Sequence, residues 1–105
     1  MDATKRSLEL REKVLSKQKE IERLSKIYGV KNIRIFGSVA KGCADEDSDI
    51  DIVVDKDGIR GLFEIAGFKI ELDDLLEEEV DVVISTAIKE NRVESILEGK
   101  LIPVA

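Results

Sequence analysis

"IRIFGSVAKGCADEDSDIDIVVD", residues 33 to 55, sets two short apolar runs on either side of a glycine–serine turn and a concentration of acid. Five carboxylates lie between Asp45 and Asp51. "NIRIF" (32 to 36) reads as a strand ended by Gly37. "DIDIVVD" (49 to 55) reads as a second strand, with Ile50, Ile52 and Val54 alternating with Asp49, Asp51 and Val53. Side chains two apart on a strand point to the same side. Asp49 and Asp51 therefore form a paired carboxylate where an ordinary sheet would carry Val or Ile.

Working outward, residues 5 to 28 predict one long helix. Leu10, Val14, Ile21, Leu24 and Tyr28 make an apolar stripe, and Gly29 stops it. "DKDG" (55 to 58) is a turn signal. The pattern is helical again from about 60 to 78, where Gly67 leaves open one helix or two pieces. "VDVVI" (80 to 84) is a third strand. Ser85 or Thr86 caps a last helix running to about Glu98 and stopped by Gly99, and "LIPV" adds a short edge strand in which Pro103 is tolerated. No repeat, low-complexity segment or linker interrupts the pattern. The expectation is one domain over 1–105, of α/β (α+β) class, with a small mixed sheet of three to four strands flanked by helices.

The chain has 105 residues, 43% apolar and 38% charged, which fits a globular domain with a real but small core. No apolar run reaches the ~18 residues of a membrane span, and the N-terminus lacks the apolar segment of a signal peptide. A lone cysteine, Cys43, forms no internal disulfide, so the expected compartment is cytoplasmic. A net charge of −6 argues against a broad nucleic-acid surface. The absence of histidine rules out Ser-His-Asp and Cys-His catalysis within the chain, and zinc sites built on His. Chemistry is left to carboxylates, hydroxyls, Lys or Arg, backbone amides or a bound metal.

Asp81 is out of phase with Val80, Val82 and Ile84, so a third strand beside the second brings it to the face of Asp49 and Asp51. Like charges at about 4 Å and an effective dielectric near 20 repel by on the order of 4 kcal/mol per pair. No local cation cluster is evident in the sequence to relieve this. A divalent ion relieves it, and an all-oxygen set suits Mg²⁺ or Mn²⁺. Gly37 after a strand permits a sharp turn and close backbone approach. Ser38 adds a hydroxyl, Lys41 a charge, and a short helix over 38 to 41 would offer free amides to a phosphate. Two commoner motifs fail. The spacing Gly37 to Gly42 matches a P-loop but is followed by Cys43 and Ala44, and EF-hand loops begun at Asp45 or Asp47 lack the required Gly and Glu.

Taken together these residues resemble the nucleotidyltransferase superfamily related to DNA polymerase β. Its pattern is Gly-Ser, ten residues, then Asp-x-Asp, here Gly37-Ser38, residues 39 to 48 and Asp49-Ile50-Asp51, with Ser48 before the acids and Asp81 as the third carboxylate. Size and the connection over 61 to 83 resemble the minimal nucleotidyltransferases. The resemblance implies an Mg²⁺-dependent enzyme using two ions, with Mn²⁺ an alternative and ATP the substrate. Asp49, Asp51 and Asp81 would be the metal-binding and catalytic residues, and Gly37, Ser38 and Lys41 would bind nucleotide. It also implies a partner, a HEPN-domain toxin that such antitoxins neutralise, some by transferring AMP to a tyrosine. Two alternatives share the fold: an antitoxin that works by contact alone, and the catalytic subunit of a small-molecule nucleotidyltransferase. The chain departs from the family at Val39, where Arg or an aromatic is frequent, and at Lys41, where Arg is frequent; Lys loses the bidentate grip on phosphate.

The remaining features read more plainly. Asp45, Glu46 and Asp47 form a solvated loop, Cys43 is an incidental loop residue, and the acidic run Glu71 to Asp81 is a solvated helix face, with a basic partner the alternative. Tyr28 belongs to the core or an interface. Leu8, Leu15, Val93, Ile96 and Leu97 exceed what one stripe per helix needs, which points to a partner or a homo-oligomer.

Overall fold

The computed structural model describes residues 3–56, 62–87 and 100–105. Helices α1 (Lys5–Ser16) and α2 (Gln18–Tyr28) precede strand β1 (Val30–Phe36), the short helix α3 (Gly37–Lys41) and strand β2 (Ile50–Lys56). Helix α4 (Leu62–Leu76), strand β3 (Val80–Ile84), a 3-10 turn at Ser85–Ala87 and strand β4 (Ile102–Pro103) complete the described order. The sheet order is β3-β2-β1-β4. β1 runs antiparallel to β2 and β4, whereas β2 and β3 are parallel, so the sheet is mixed as expected.

Alternation along the strands decides the two faces of the sheet. Ile33 and Ile35 of β1, Ile50, Ile52 and Val54 of β2, and Val80 of β3 point to one side. There they pack with Leu10, Val14, Ile21, Leu24, Phe68, Leu72 and Leu76 of the helices. Each such side chain removed from water contributes about 1.5–3 kcal/mol, so the helical layer is bound to this face. Asp49 and Asp51 are on the opposite phase and cannot join it.

The long N-terminal helix is in fact two. Lys17 leaves helical geometry at φ −106°, ψ 17°, and its N–H turns back to Val14 O at 3.1 Å. The apolar stripe has a gap there: between Val14 and Ile21 no residue is buried. With nothing to anchor the intervening turn, the chain bends and Gln18 Nε2 donates to Val104 O at 2.5 Å. Gly29 ends α2 in the left-handed conformation, as its position predicts.

α4 is one helix running through Gly67, and the reason for the glycine is Tyr28. A β-carbon at position 67 would lie 2.7 Å from Tyr28 Cε1, and the Tyr28 ring also meets Phe68 with centroids 6.1 Å apart. β2 spans Ile50–Lys56, so Asp55 lies in the strand as expected and Lys56 extends it by one residue into the stretch read as a turn. Asp57 and Gly58, and the last helix expected over 88–98 with its stop at Gly99, lie outside the described residues. So do Val93, Ile96 and Leu97, whereas Leu8 and Leu15 are exposed, as are Ile27, Phe63 and Ile70. No helix among the described residues is long and apolar enough to cross a membrane.

Candidate active site

β1 and β2 bring the glycine turn and the acid strand together. Phe36, the last residue of β1, is in register with Asp51. Gly37 follows at φ +70°, a conformation that L side chains avoid. A β-carbon on Gly37 would overlap Asp51 Oδ2 and lie 3.1 Å from its Cγ. Only glycine lets the Gly37–Ser38 backbone sit directly against this carboxylate.

The short helix α3 is held from beneath. No side chain caps its start. Val39 and Ala40 are fully buried in the core. Arg11 of α1 donates from Nε to Val39 O and from Nη2 to Ala40 O, each at 2.9 Å, so a cation meets the negative end of the helix. Gly42, at φ +85°, ends it, with the N–H groups of Gly42 and Cys43 both donating to Ser38 O. Thr4 caps α1 and also ties the following loop, its Oγ1 donating to Ala44 O at 2.7 Å. Ser38 is half-buried. Lys41 is exposed at the last position of α3, one turn from Gly37.

The expected solvated loop has structure of its own. Asp45 Oδ1 accepts from Asp47 N at 2.9 Å and from Ser48 Oγ at 3.1 Å, while Asp45 N donates to Ser48 Oγ. Ser48 thus closes the turn that starts β2.

The parallel register of β2 and β3 pairs Asp51 with Asp81. Asp49, two residues before Asp51, shares their face. Among the described residues no cation is paired with any of the three. Burial pushes the Asp51 carboxyl up to about 6, and the charges of Asp81 and then Asp49 push in the same direction. Among the described residues no group of three or more His, Cys, Asp or Glu side chains is placed to hold a metal ion by itself. The chemistry of the donors still suits Mg²⁺, since carboxylates offer oxygen and negative charge. Mg²⁺ commonly takes one or two carboxylates, keeps several waters and draws other ligands from substrate phosphates. A separate hollow of about 420 Å³ lies on α1 and the turn before β3. Within it Arg6 and Lys13 pair with Glu78 at 3.0 and 3.3 Å, while Arg6 Nε is buried without a hydrogen-bond partner, and the hollow contains neither the glycine turn nor the three carboxylates.

One group on the carboxylate face escaped the reading of the sequence. Asp55 accepts from Ser85 Oγ and Arg34 Nη2, each at 2.6 Å, and from Asn32 Nδ2 at 2.8 Å. These donors, Ser85 and Asn32 foremost, hold its carboxyl below the usual range. Its two-residue phase with Asp49, Asp51 and Val53 in the expected strand was the available signal.

Residues 11–103 match the family described as nucleotidyltransferase domain. The protein adenylyltransferase MntA of Thermococcus cleftensis is 35% identical over 91 residues, covering 87% of this chain and 90% of that one. A solved structure assigned to a minimal nucleotidyltransferase superposes with a TM-score of 0.73 at 32% identity, over 95% of this chain and 94% of that one. A crystal structure of a toxin–antitoxin with AMP-PNP shares the fold at a TM-score of 0.69 and 20% identity, over 84% of this chain and 72% of the other.

Proposed function

The chain belongs to the nucleotidyltransferase family, and on that premise we propose that it transfers AMP from ATP to a protein acceptor, the toxin of a toxin–antitoxin pair. The observation that carries this reading is the contact of the Gly37 turn with Asp51, itself in register with Asp81. A phosphate-binding turn and a metal-binding face then form one site. The acceptor class is supported by the adenylyltransferase relative, and the partner class by the toxin–antitoxin likeness. A HEPN-domain partner and a tyrosine acceptor are what the family resemblance adds. The exposed Leu8, Leu15, Ile27, Phe63 and Ile70 supply apolar surface for a partner or a second copy.

The residues divide the work by position. The backbone of Gly37 and Ser38, with the Ser38 hydroxyl, binds the terminal phosphates, and Lys41 adds charge at the far end of α3. Asp49 and Asp51 would hold Mg²⁺ for the triphosphate, and Asp81 would contribute to a second ion. Bound there, Mg²⁺ neutralises phosphate charge and makes a hydroxyl easier to deprotonate. Asp81, the exposed member of the set, receives the acceptor's proton. The acceptor oxygen bonds to the α-phosphorus as the bond to the β-phosphate oxygen breaks, and pyrophosphate leaves. Intact-mass measurement of the co-purified partner after incubation with Mg²⁺ and ATP tests this. A gain of one or more AMP units is expected, and an unchanged partner in a stable complex would replace transfer by inhibition through contact.

A further inference from the structure

β1 carries a cation on the carboxylate face, and the structure turns it away from the acids. Arg34 stands opposite Val53 in the β1–β2 register, so Asp51 and Asp55 are its two diagonal neighbours on β2. Diagonal positions are within reach of a long side chain. Of these two carboxylates Arg34 pairs with Asp55, through Nη2 at 2.6 Å, while its Nε donates to Asn32 O at 2.7 Å. A bulge between Lys31 and Arg34 makes that choice. Asn32, at φ +51°, aims its carbonyl at the guanidinium and its Nδ2 at Asp55. Bulges beside active sites commonly re-aim a side chain in this way. A guanidinium that reached Asp51 would grip the carboxylate as a competitor of any metal ion.

We infer that Asp55 is a positioning residue: it holds Arg34 away from Asp51, so that the face of Asp49, Asp51 and Asp81 keeps its charge for a divalent cation. This rests on the reading that the three carboxylates bind metal. Ser85, which also donates to Asp55, ties the 3-10 turn after β3 to β2, while Arg34 bonds to Asp55 and Asn32, so the two contributions of Asp55 are separable.

Binding of Mn²⁺ to the full chain with a non-hydrolysable ATP analogue, followed by electron paramagnetic resonance, tests both. Asp55→Asn keeps the shape and removes the charge that holds Arg34. It is expected to weaken Mn²⁺ binding on the order of tenfold, equivalent to about 1.4 kcal/mol. Adding Arg34→Gln to it should restore binding to within about threefold of wild type, a rescue that a merely structural Asp55 would not allow. Arg34→Gln alone and Ser85→Ala should bind as wild type does. Arg34→Lys leaves Asp55 intact, so it reports even if Asp55→Asn does not fold. An ammonium cannot keep both anchors, and this variant should bind Mn²⁺ more weakly than Arg34→Gln. A double variant as weak as Asp55→Asn, or an equal loss in Ser85→Ala, would overturn the inference while leaving the metal site standing. Absence of Mn²⁺ binding in wild type, or undiminished binding in Asp51→Asn, would overturn the metal reading and this inference with it.

Discussion

Gly37 and Asp51 are so close that the glycine's missing side chain is occupied by the aspartate's carboxylate. The turn that would receive phosphate and the acid that would hold metal are therefore one unit, built where β1 ends opposite the start of β2. Neither can shift without the other. Gly37→Ala meets two penalties, a left-handed backbone costing about 1–2 kcal/mol and a steric overlap with Asp51. The expected result is a lowered melting temperature and transfer reduced by about two orders of magnitude or more, a loss of ~2.7 kcal/mol in transition-state stabilisation. Thermal melts and initial rates on the same preparation check it. Near-normal activity would mean that the turn does not abut the reacting phosphates.

The raised Asp51 carboxyl has a consequence for stability without metal. Its folded value of about 6 lies above the ordinary 3.8, so the folded chain holds this proton more tightly than the unfolded one. The residue's favourable contribution is complete below pH ~3.8 and is lost as pH rises through about 6. Asp55 and Glu78 are shifted the opposite way, so total stability is a mixture and the informative quantity is a difference. In a chelating buffer, Asp51→Asn should gain in melting temperature over wild type as pH goes from about 4 to about 7. Saturating Mg²⁺ and nucleotide at neutral pH should reverse the order, because binding stabilises only the chain that keeps its ligand. A difference that is flat with pH would show Asp51 to be unperturbed.

Helix propensity and packing make opposite forecasts at Gly67. In an exposed helix, Gly→Ala gains about 1 kcal/mol. Here the new β-carbon would lie 2.7 Å from Tyr28 Cε1, and overpacking of this kind costs about 1–3 kcal/mol. The steric cost wins, and Gly67→Ala should lower stability in chemical denaturation. The loss should shrink in a Tyr28→Leu background, where the ring edge is gone. Stabilisation by Gly67→Ala alone would show that α2 and α4 are not docked through this contact.

Much of this site is legible in the chain before any coordinates. Alternation alone puts Asp49 and Asp51 on one face, and the phase of Asp81 within "VDVVI" needs only parallel pairing to bring it beside Asp51. The Gly37 turn is legible because a strand that stops at glycine and resumes as Ser-Val-Ala-Lys has few alternatives. The bend at Lys17 was written as a gap in the apolar stripe, but periodicity measured across the whole stretch averages over it. Gly67 reads as a weak point in a helix until the ring of Tyr28, far away in sequence, is placed against it. Asp55 is hardest: its proposed role depends on Arg34 and Asn32 of β1 and Ser85 of the 3-10 turn meeting at β2, and no local pattern reports a long-range network.

The central claim is that the three carboxylates support nucleotidyl transfer. ATP labelled at the α-phosphate and, in parallel, at the γ-phosphate should be incubated with the chain, its partner protein and Mg²⁺, beside Asp49→Asn and Asp51→Asn. Label retained on protein from the α position only, and lost in both folded variants, is the predicted result. Equal labelling by wild type and variants, or retention of the γ label, would contradict it.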